Sequence, residues 1–364
     1  WVLLVGVWDL VEDVIGGVVS PVRDQGSNLP RFAALKAGFP VTTPGIQINR
    51  MCGSGQQAVI FASQAIASGD SDLVVACGVE SMSRVPMGSD SNKELFNMDV
   101  SKKQKLSFDP FPYPLVHQGA SAEALAEKYG ISRQECDQFA IESHEKLHKA
   151  TQNGYLKNQI LPIKTFKKDN EGKVDESSRY TLTKDEGLRY PQNPKVIASL
   201  PAVFRKDGKG VVTAGTASQI SDGAAALLLG TGEVADKLGL KKHAKVIARV
   251  VVGSDPVIML DGVIPATQKA LKKAGLSIDD IDLFEVNEAF ACVVLAWKKT
   301  LKVPKEKINI DGGAIAHGHP LGCTGAALTM KLVEQLEREN KKYGLSTLCI
   351  GFGNAVAIIV ENVN

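Results

Sequence analysis

A chain of 364 residues is long for one hydrophobic core and suits two or three domains. Hydrophobic residues make up 44% of it, and lysine plus arginine number 42 against 40 acidic residues. That composition excludes a disordered chain, and the near-neutral balance gives no reason to expect a nucleic acid or an anionic membrane as partner. The longest apolar runs, such as 224–229, fall short of the roughly 20 residues that a membrane-spanning helix needs.

Residues 13–19 (DVIGGVV) read as a buried strand, and 46–49 as the next. The turn MCGSG at 51–55 then opens a helix over 56–68, and a strand follows at 73–77. From about 83 to 210 Lys, Asp, Asn and Pro rise and strands thin out, which reads as a subdomain of loops and helices inserted into the frame. Its clearest helices are 121–129 and 133–154, the second opened by Ser132 as N-cap. Basic residues in this stretch, among them Lys157, Arg189, Arg205 and Lys209, are candidates to meet phosphate. Asp175, Glu176, Asp185 and Glu186 balance them, and a solvated surface is the favoured reading.

A helical signal returns in part of 214–229. Strands are then expected at 245–252, 281–286, 308–310 and 348–350, with helices at 266–274, 287–299 and 326–339. Alternating β and α signals predict an α/β fold with mostly parallel sheets. A strand, a glycine turn, an alanine-bearing helix and a second strand occur twice, once from residue 47 and again from residue 309. Two such units suggest a duplicated architecture.

The six cysteines (Cys52, Cys77, Cys136, Cys292, Cys323 and Cys349) are widely spread and form no C-x-x-C pair. A zinc or redox motif is therefore unsupported, no metal is expected, and a reducing compartment fits better than a disulfide scaffold. No signal-peptide pattern opens the chain at Trp1. The expectation is a cytoplasmic protein, or a mitochondrial matrix one if a transit peptide has been removed.

Three glycine turns carry the chemistry. Cys52, at the head of the 56–68 helix, sees free backbone N–H groups and the positive end of the dipole, which predicts an acidified thiol. The competing reading is a small cysteine buried in a tight turn. The turn 312–322 carries His317 and His319, and Pro320 holds His319 extended, a fixed placement suited to a base. His317 reads as a surface residue or one satisfied by a turn carbonyl. At 349–353 (CIGFG) the glycines expose N–H groups able to bind an oxyanion, with Cys349 as either an acid/base or a core filler.

Taken together, CGSG at 52–55, VNEAFA at 286–291, GGAIAHGHPLG at 312–322 and CIGFG at 349–353 resemble the thiolases, which transfer acyl groups between coenzyme A thioesters and act on 3-ketoacyl thioesters. GVESMSRVP at 78–86, HQGASAE at 117–123 and TAGTASQISDGAAA at 213–226 are similar too, so the resemblance runs from about residue 13 to the end. It implies a duplicated thiolase-like α/β fold, two mixed sheets with helices layered α-β-α-β-α, plus the inserted loop subdomain at about 83–212. The halves would be 1–240 and 241–364. It implies Cys52 as the nucleophile that takes the acyl group, His319 as its proton acceptor, and Cys349 as the second acid/base at the α-carbon. Asn287 would hold a water that, with His319, stabilises the enolate oxygen, and the N–H groups of Cys52 and Gly351 would bind the other oxyanion. Ser218, His117, Ala214 and Phe290 would contact the pantetheine arm. Coenzyme A is then a substrate, no cofactor is implied, and a homodimer or homotetramer is expected.

Cys349 favours a thiolase over the sister condensing enzymes, the ketoacyl and hydroxymethylglutaryl synthases. A fold that only binds acyl-CoA is the non-enzymatic alternative. Two positions depart from the family pattern. Thr216 replaces a frequent asparagine, and Gln118 stands where acetyl-specific relatives often carry methionine, which points away from a pocket tuned to acetoacetyl-CoA. Relatives also carry a strand and helix with an R-T-P-like motif upstream, and residues 1–11 match nothing in them, so the N-terminal half is expected to lack a core strand.

Overall fold

The computed structural model describes residues 7–90, 112–168 and 173–364. The apolar run of β1 (Asp13–Gly17) is buried at four of its five positions, which only a central strand allows. It lies parallel to β2 (Ile46–Ile48) on one side and to β3 (Leu73–Ser81) on the other, with α1 (Leu29–Lys36) and α2 (Ser54–Ser68) as the crossovers. The inserted region follows: α3 (Gln118–Tyr129), α4 (Arg133–Gln152), the hairpin β4 (Ile163–Lys168) and β5 (Val174–Leu182), and α5 (Pro194–Ser199). Residues 91–111 of that region lie outside the described residues. Ser132 caps α4 as expected, in a reciprocal capping box with Glu135.

The chain then returns as β6 (Asp222–Gly230) and α6 (Gly232–Lys237) before the second half begins. That half comprises β7 (Ala244–Gly253), α7 (Val263–Ala274), β8 (Leu283–Val286), α8 (Ala291–Leu301), α9 (Ala314–His317), α10 (Leu321–Arg338), β9 (Tyr343–Ile350) and β10 (Asn354–Asn362). The two main sheets run β2-β1-β3-β6 and β8-β9-β10-β7. In each, a parallel pair (β1 and β3, β8 and β9) is followed by an antiparallel strand, β6 or β10. The repeat read from the glycine turns is thus a repeat of topology. Among the described residues β7 has no counterpart in the first half, and the outer edge of β6 has no partner strand.

Helices α2 and α10 pack side by side between the sheets, with α1 outside the first sheet and α7 and α8 outside the second. This is the five-layered arrangement. A Cβ on Gly55 would stand 2.6 Å from the Gly322 carbonyl oxygen, and one on Gly325 would stand 2.2 Å from the Gln56 nitrogen. Glycine in both motifs is what lets the two helix N-termini touch. No helix among the described residues is long and apolar enough to cross a membrane.

Three expectations are corrected. The helical signal in 214–229 is instead β6, paired antiparallel with β3 over nine residues and alternating in exposure. Its alanines and leucines favour a helix locally, but pairing with β3 overrides so small a preference. At 308–310 only a single bridge, Phe284 to Ile308, forms. Asn309 turns there with φ +45°, and its side chain exchanges hydrogen bonds with the Val286 backbone at 2.9 Å in both directions, replacing a ladder. Helix α8 begins at Ala291, so Asn287 sits in extended chain, its N–H bonded to the Thr347 carbonyl at 3.0 Å. The β4–β5 hairpin was not foreseen; its Lys, Thr and Ser content hides a strand pattern.

Candidate active site

Cys52 lies between β2 and α2, beyond a residue in an uncommon conformation. Met51 has φ +44°, held by the Asn49 carboxamide oxygen on its N–H (2.8 Å) and by the Ser54 hydroxyl on its carbonyl (2.6 Å). This sharp reversal points Cys52 inward, where it keeps 5% exposure and packs with Val19, Met82 and Leu321. The N–H groups of Cys52 itself and of Gly351, the two expected oxyanion donors, both act on its sulfur.

The expected acidification is corrected. Burial pushes the Cys52 thiol up to about 11, against the pull of Gln118 and the two backbone N–H groups. Loss of water outweighs the helix-end donors because no cation among the described residues compensates. Cys349, at the end of β9, is also buried; its thiol is raised by burial and further by the charge of Cys52, so the sulfurs share one electrostatic environment. Burial lifts Cys77, Cys136 and Cys323 to about 12. All six cysteines are free.

His319 is buried two residues before Leu321, the residue that packs on Cys52. Its Nδ1 lies 2.7 Å from the Thr324 hydroxyl, which donates its own hydrogen to the Pro320 carbonyl at 2.9 Å. The hydroxyl oxygen must therefore accept from Nδ1–H, which leaves Nε2 as the bare nitrogen. Asn287 Nδ2 sits 3.2 Å from that Nε2, and Asn287 Oδ1 is buried without a donor among the described residues. Burial lowers His319 to about 4, so it is neutral at pH 7 and free to take a proton. His317 is satisfied by a turn carbonyl on one side only: its Nδ1 meets the Gly318 carbonyl at 2.9 Å, and its Nε2 is buried without a partner among the described residues.

Two buried carboxylates position these parts. Glu288, beside Asn287, accepts from the Ser143 hydroxyl (2.7 Å), Asn309 Nδ2 (2.9 Å) and the Ile315 N–H (3.1 Å), which ties the 312–317 turn to α4. Glu80 at the end of β3 accepts from the N–H groups of Val19, Ser20 and Gly322 and from Gln25. It thereby joins the first half to the first turn of α10. Thr324, Glu288 and Glu80 all escaped the sequence reading. The signals were present: a threonine five residues after the histidine, and acids inside two of the matched motifs.

The expected pantetheine residues fall in two places. The Ser218 N–H bonds the Ala289 carbonyl at 3.0 Å, Ala217 bridges Phe290, and Ala214 is exposed on the same turn. His117 is apart, capping α3 through Nδ1 and stacked on Phe204 with ring centroids 4.8 Å apart. Arg205, a phosphate candidate, is paired with Asp207 and Glu127. A shallow depression at the far end of α2, lined by Phe61, Gln64, Ser68, Asp70 and Arg249, holds no cysteine or histidine.

Two family models, described as the N-terminal and C-terminal domains of thiolase, match residues 7–233 and 240–362. The chain belongs to the thiolase family. The match begins a few residues earlier than the motifs alone suggested. A 3-ketoacyl-CoA thiolase of Vibrio vulnificus (strain CMCP6) is 41% identical over 354 residues, spanning 96% of this chain and 87% of that protein. One from Aliivibrio fischeri is 42% identical over 356 residues, with the same coverage of 96% and 87%. Among solved structures, human mitochondrial 3-ketoacyl-CoA thiolase matches with a TM-score of 0.85 at 35% identity, covering 98% of this thiolase and 88% of the human chain. The Bacillus anthracis acetyl-CoA acetyltransferase gives 0.84 at 36% identity, with 98% and 88% covered.

Proposed function

We propose that this thiolase moves acyl groups between coenzyme A thioesters, cleaving 3-ketoacyl-CoA with coenzyme A and running the reverse condensation, through an acyl group on Cys52. The observation that carries the proposal is one nucleophilic sulfur that meets a backbone N–H pair, a second thiol and a neutral imidazole's neighbour in a buried site.

In the cleavage direction the Cys52 sulfur attacks C3 of the substrate while its proton passes to His319 Nε2. The N–H groups of Cys52 and Gly351 hold the tetrahedral oxyanion, at about 3–4 kcal/mol for a well-placed donor. The C2–C3 bond then breaks and its electron pair becomes the enolate of acetyl-CoA. His319, now protonated, and Asn287, through a water, stabilise that enolate oxygen. Cys349 delivers its proton to the α-carbon. An incoming coenzyme A thiol gives its proton to the Cys349 thiolate and attacks the acyl group, and Cys52 leaves, recovering the proton from His319. Because the resting Cys52 is a thiol, deprotonation accompanies attack rather than preceding it.

On this reading the chain divides at about residue 240, with 83–212 inserted in the first half, and Ser218, Ala214, Phe290 and His117 line the pantetheine arm. A homodimer or homotetramer and a cytoplasmic or matrix location belong to the same proposal and rest on the family resemblance. The test is thiolysis of acetoacetyl-CoA and of a long-chain 3-ketoacyl-CoA, with mass spectrometry of the Cys52 peptide. We expect turnover of at least one, an acyl adduct on Cys52, no adduct in Cys52→Ser, and in Cys349→Ser an adduct formed from acyl-CoA with the carbon–carbon step slowed. Folded protein that turns over neither substrate overturns the proposal.

A further inference from the structure

Gln118 is the first residue of α3, and the ring of the preceding His117 fixes that helix end by accepting the Gly119 N–H at 3.1 Å. The Gln118 carboxamide reaches across to the turn after β9. Its Nε2 stands 3.2 Å from where a Cβ on Gly351 would be, next to the Met51 sulfur at 2.8 Å from the same point. Gly351 and Met51 are the two residues that frame Cys52, one through its N–H and the other through the backbone reversal. The carboxamide thus lies against the turn whose Gly351 N–H acts on Cys52, and Gln118 is itself among the groups that act on that sulfur.

We infer that Gln118 is a catalytic residue, a third N–H donor that stabilises the Cys52 thiolate alongside the backbone groups of Cys52 and Gly351. The inference rests on the acyl-transfer reading above for its purpose, though not for its test.

Three features make the donor necessary. The sulfur is almost wholly out of water, no Lys or Arg among the described residues is a leading influence on it, and the charged group that is, the Glu80 carboxylate on β3, raises its pKa. His319 is neutral at rest, and Cys349 on β9 is itself a protonated thiol. Of the groups that pull the Cys52 thiol down, Gln118 is the largest, ahead of both backbone N–H groups. A methionine here would have the reach but no donor. The sulfur carries charge twice in a turnover, as it attacks and as it departs from the acyl group, and the hydrogen bond strengthens at both points. The bond is lost while sulfur is held in the neutral thioester.

The test reads the sulfur without any substrate. The full-length protein and its Gln118→Leu, Gln118→Met and Gln118→Glu variants are alkylated with iodoacetamide across pH, and the rate at Cys52 is followed by peptide mapping. In the Leu and Met variants the midpoint should rise by about one unit, which slows alkylation about tenfold below the midpoint. In the Glu variant, which keeps the shape and adds negative charge, it should rise further. Cys349, coupled to the first sulfur only through its charge, should shift far less than Cys52 in the Leu and Met variants. An unchanged Cys52 midpoint in whichever of the three variants retains the wild-type thermal midpoint overturns the inference, as does an equal shift at Cys349. Absence of thiolysis in wild-type protein with the midpoint shift intact would remove only the functional reading.

Discussion

Thr324 fixes the hydrogen-bonding of the imidazole on which the proposed chemistry depends. Its hydroxyl donates to Pro320 and accepts from His319 Nδ1–H, so it selects the tautomer whose Nε2 can take a proton. Thr324→Val, nearly the same shape, removes the acceptor. We expect kcat to fall on the order of 10–100-fold, as for other partners that orient a catalytic imidazole, with the melting temperature little changed. Thr324→Ser should restore most of the rate. A Val variant with wild-type kcat and pH profile would show that the tautomer is set elsewhere. Glu288 acts in the same indirect way on the 312–317 turn. In Glu288→Gln the NH₂ replaces one of the two oxygens, so it would face either Asn309 Nδ2 or the pair of donors from the Ser143 hydroxyl and the Ile315 N–H. Such a clash of donors in a buried site costs about 2–4 kcal/mol, which a urea titration would read directly.

At the scale of elements, the site exists because α2 and α10 approach to backbone contact. Gly55→Ala places a methyl carbon 2.6 Å from the Gly322 carbonyl and 2.8 Å from the Ala326 nitrogen, and neither backbone atom can rotate away. We expect a loss of about 1–3 kcal/mol in stability together with a larger proportional loss of activity, since Cys52 and His319 ride on the two helix N-termini that would be pushed apart. Unchanged denaturation and unchanged kcat would mean the interface has slack. The glycines of CGSG and of the run 322–325 at the head of α10 are visible in the sequence as glycines. That they face each other across a helix pair is not, because a close approach between residues some 270 positions apart leaves no periodicity in either segment. For the same reason the sequence of β6 suggests a helix: Ala and Leu favour a helix taken alone, and the partner that makes them a strand, β3, ends more than a hundred residues earlier.

Across the whole molecule, buried neutral histidines tie stability to pH. Burial lowers His144 and His319 to about 4 each, from an ordinary 6.5. Below 6.5 the unfolded chain binds protons that the native state refuses, so each contributes a loss of about 1.4 kcal/mol per pH unit as pH falls from 6.5 to 4, and nothing above that window. Glu285, raised by burial to about 7, and Asp185, raised to about 6, act in the opposite sense, taking up protons in the native state as pH falls. His317, lowered by burial to about 3, adds to the histidine side, and the wild-type slope sums all of these groups with the others whose pKa folding moves. His144→Gln isolates one histidine: between pH 6.5 and 4 its stability should fall less steeply than wild type by about 1.4 kcal/mol per unit. Parallel curves would place the His144 titration outside the folding equilibrium.

Read alone, the amino-acid order determined the α/β class, the duplicated halves, the family and the glycine turns on which Cys52, His319 and Cys349 sit, because those features are local and each turn carries its own backbone requirement. The protonation states needed the tertiary structure. A cysteine at a helix head is acidified only while water or a cation helps to stabilise its charge, and enclosure between two sheets reverses that tendency. The imidazole tautomer, the Glu80 and Glu288 clamps and the reach of Gln118 to the sulfur were likewise settled by three-dimensional contact, since each depends on which distant groups share a site that no longer contains bulk solvent.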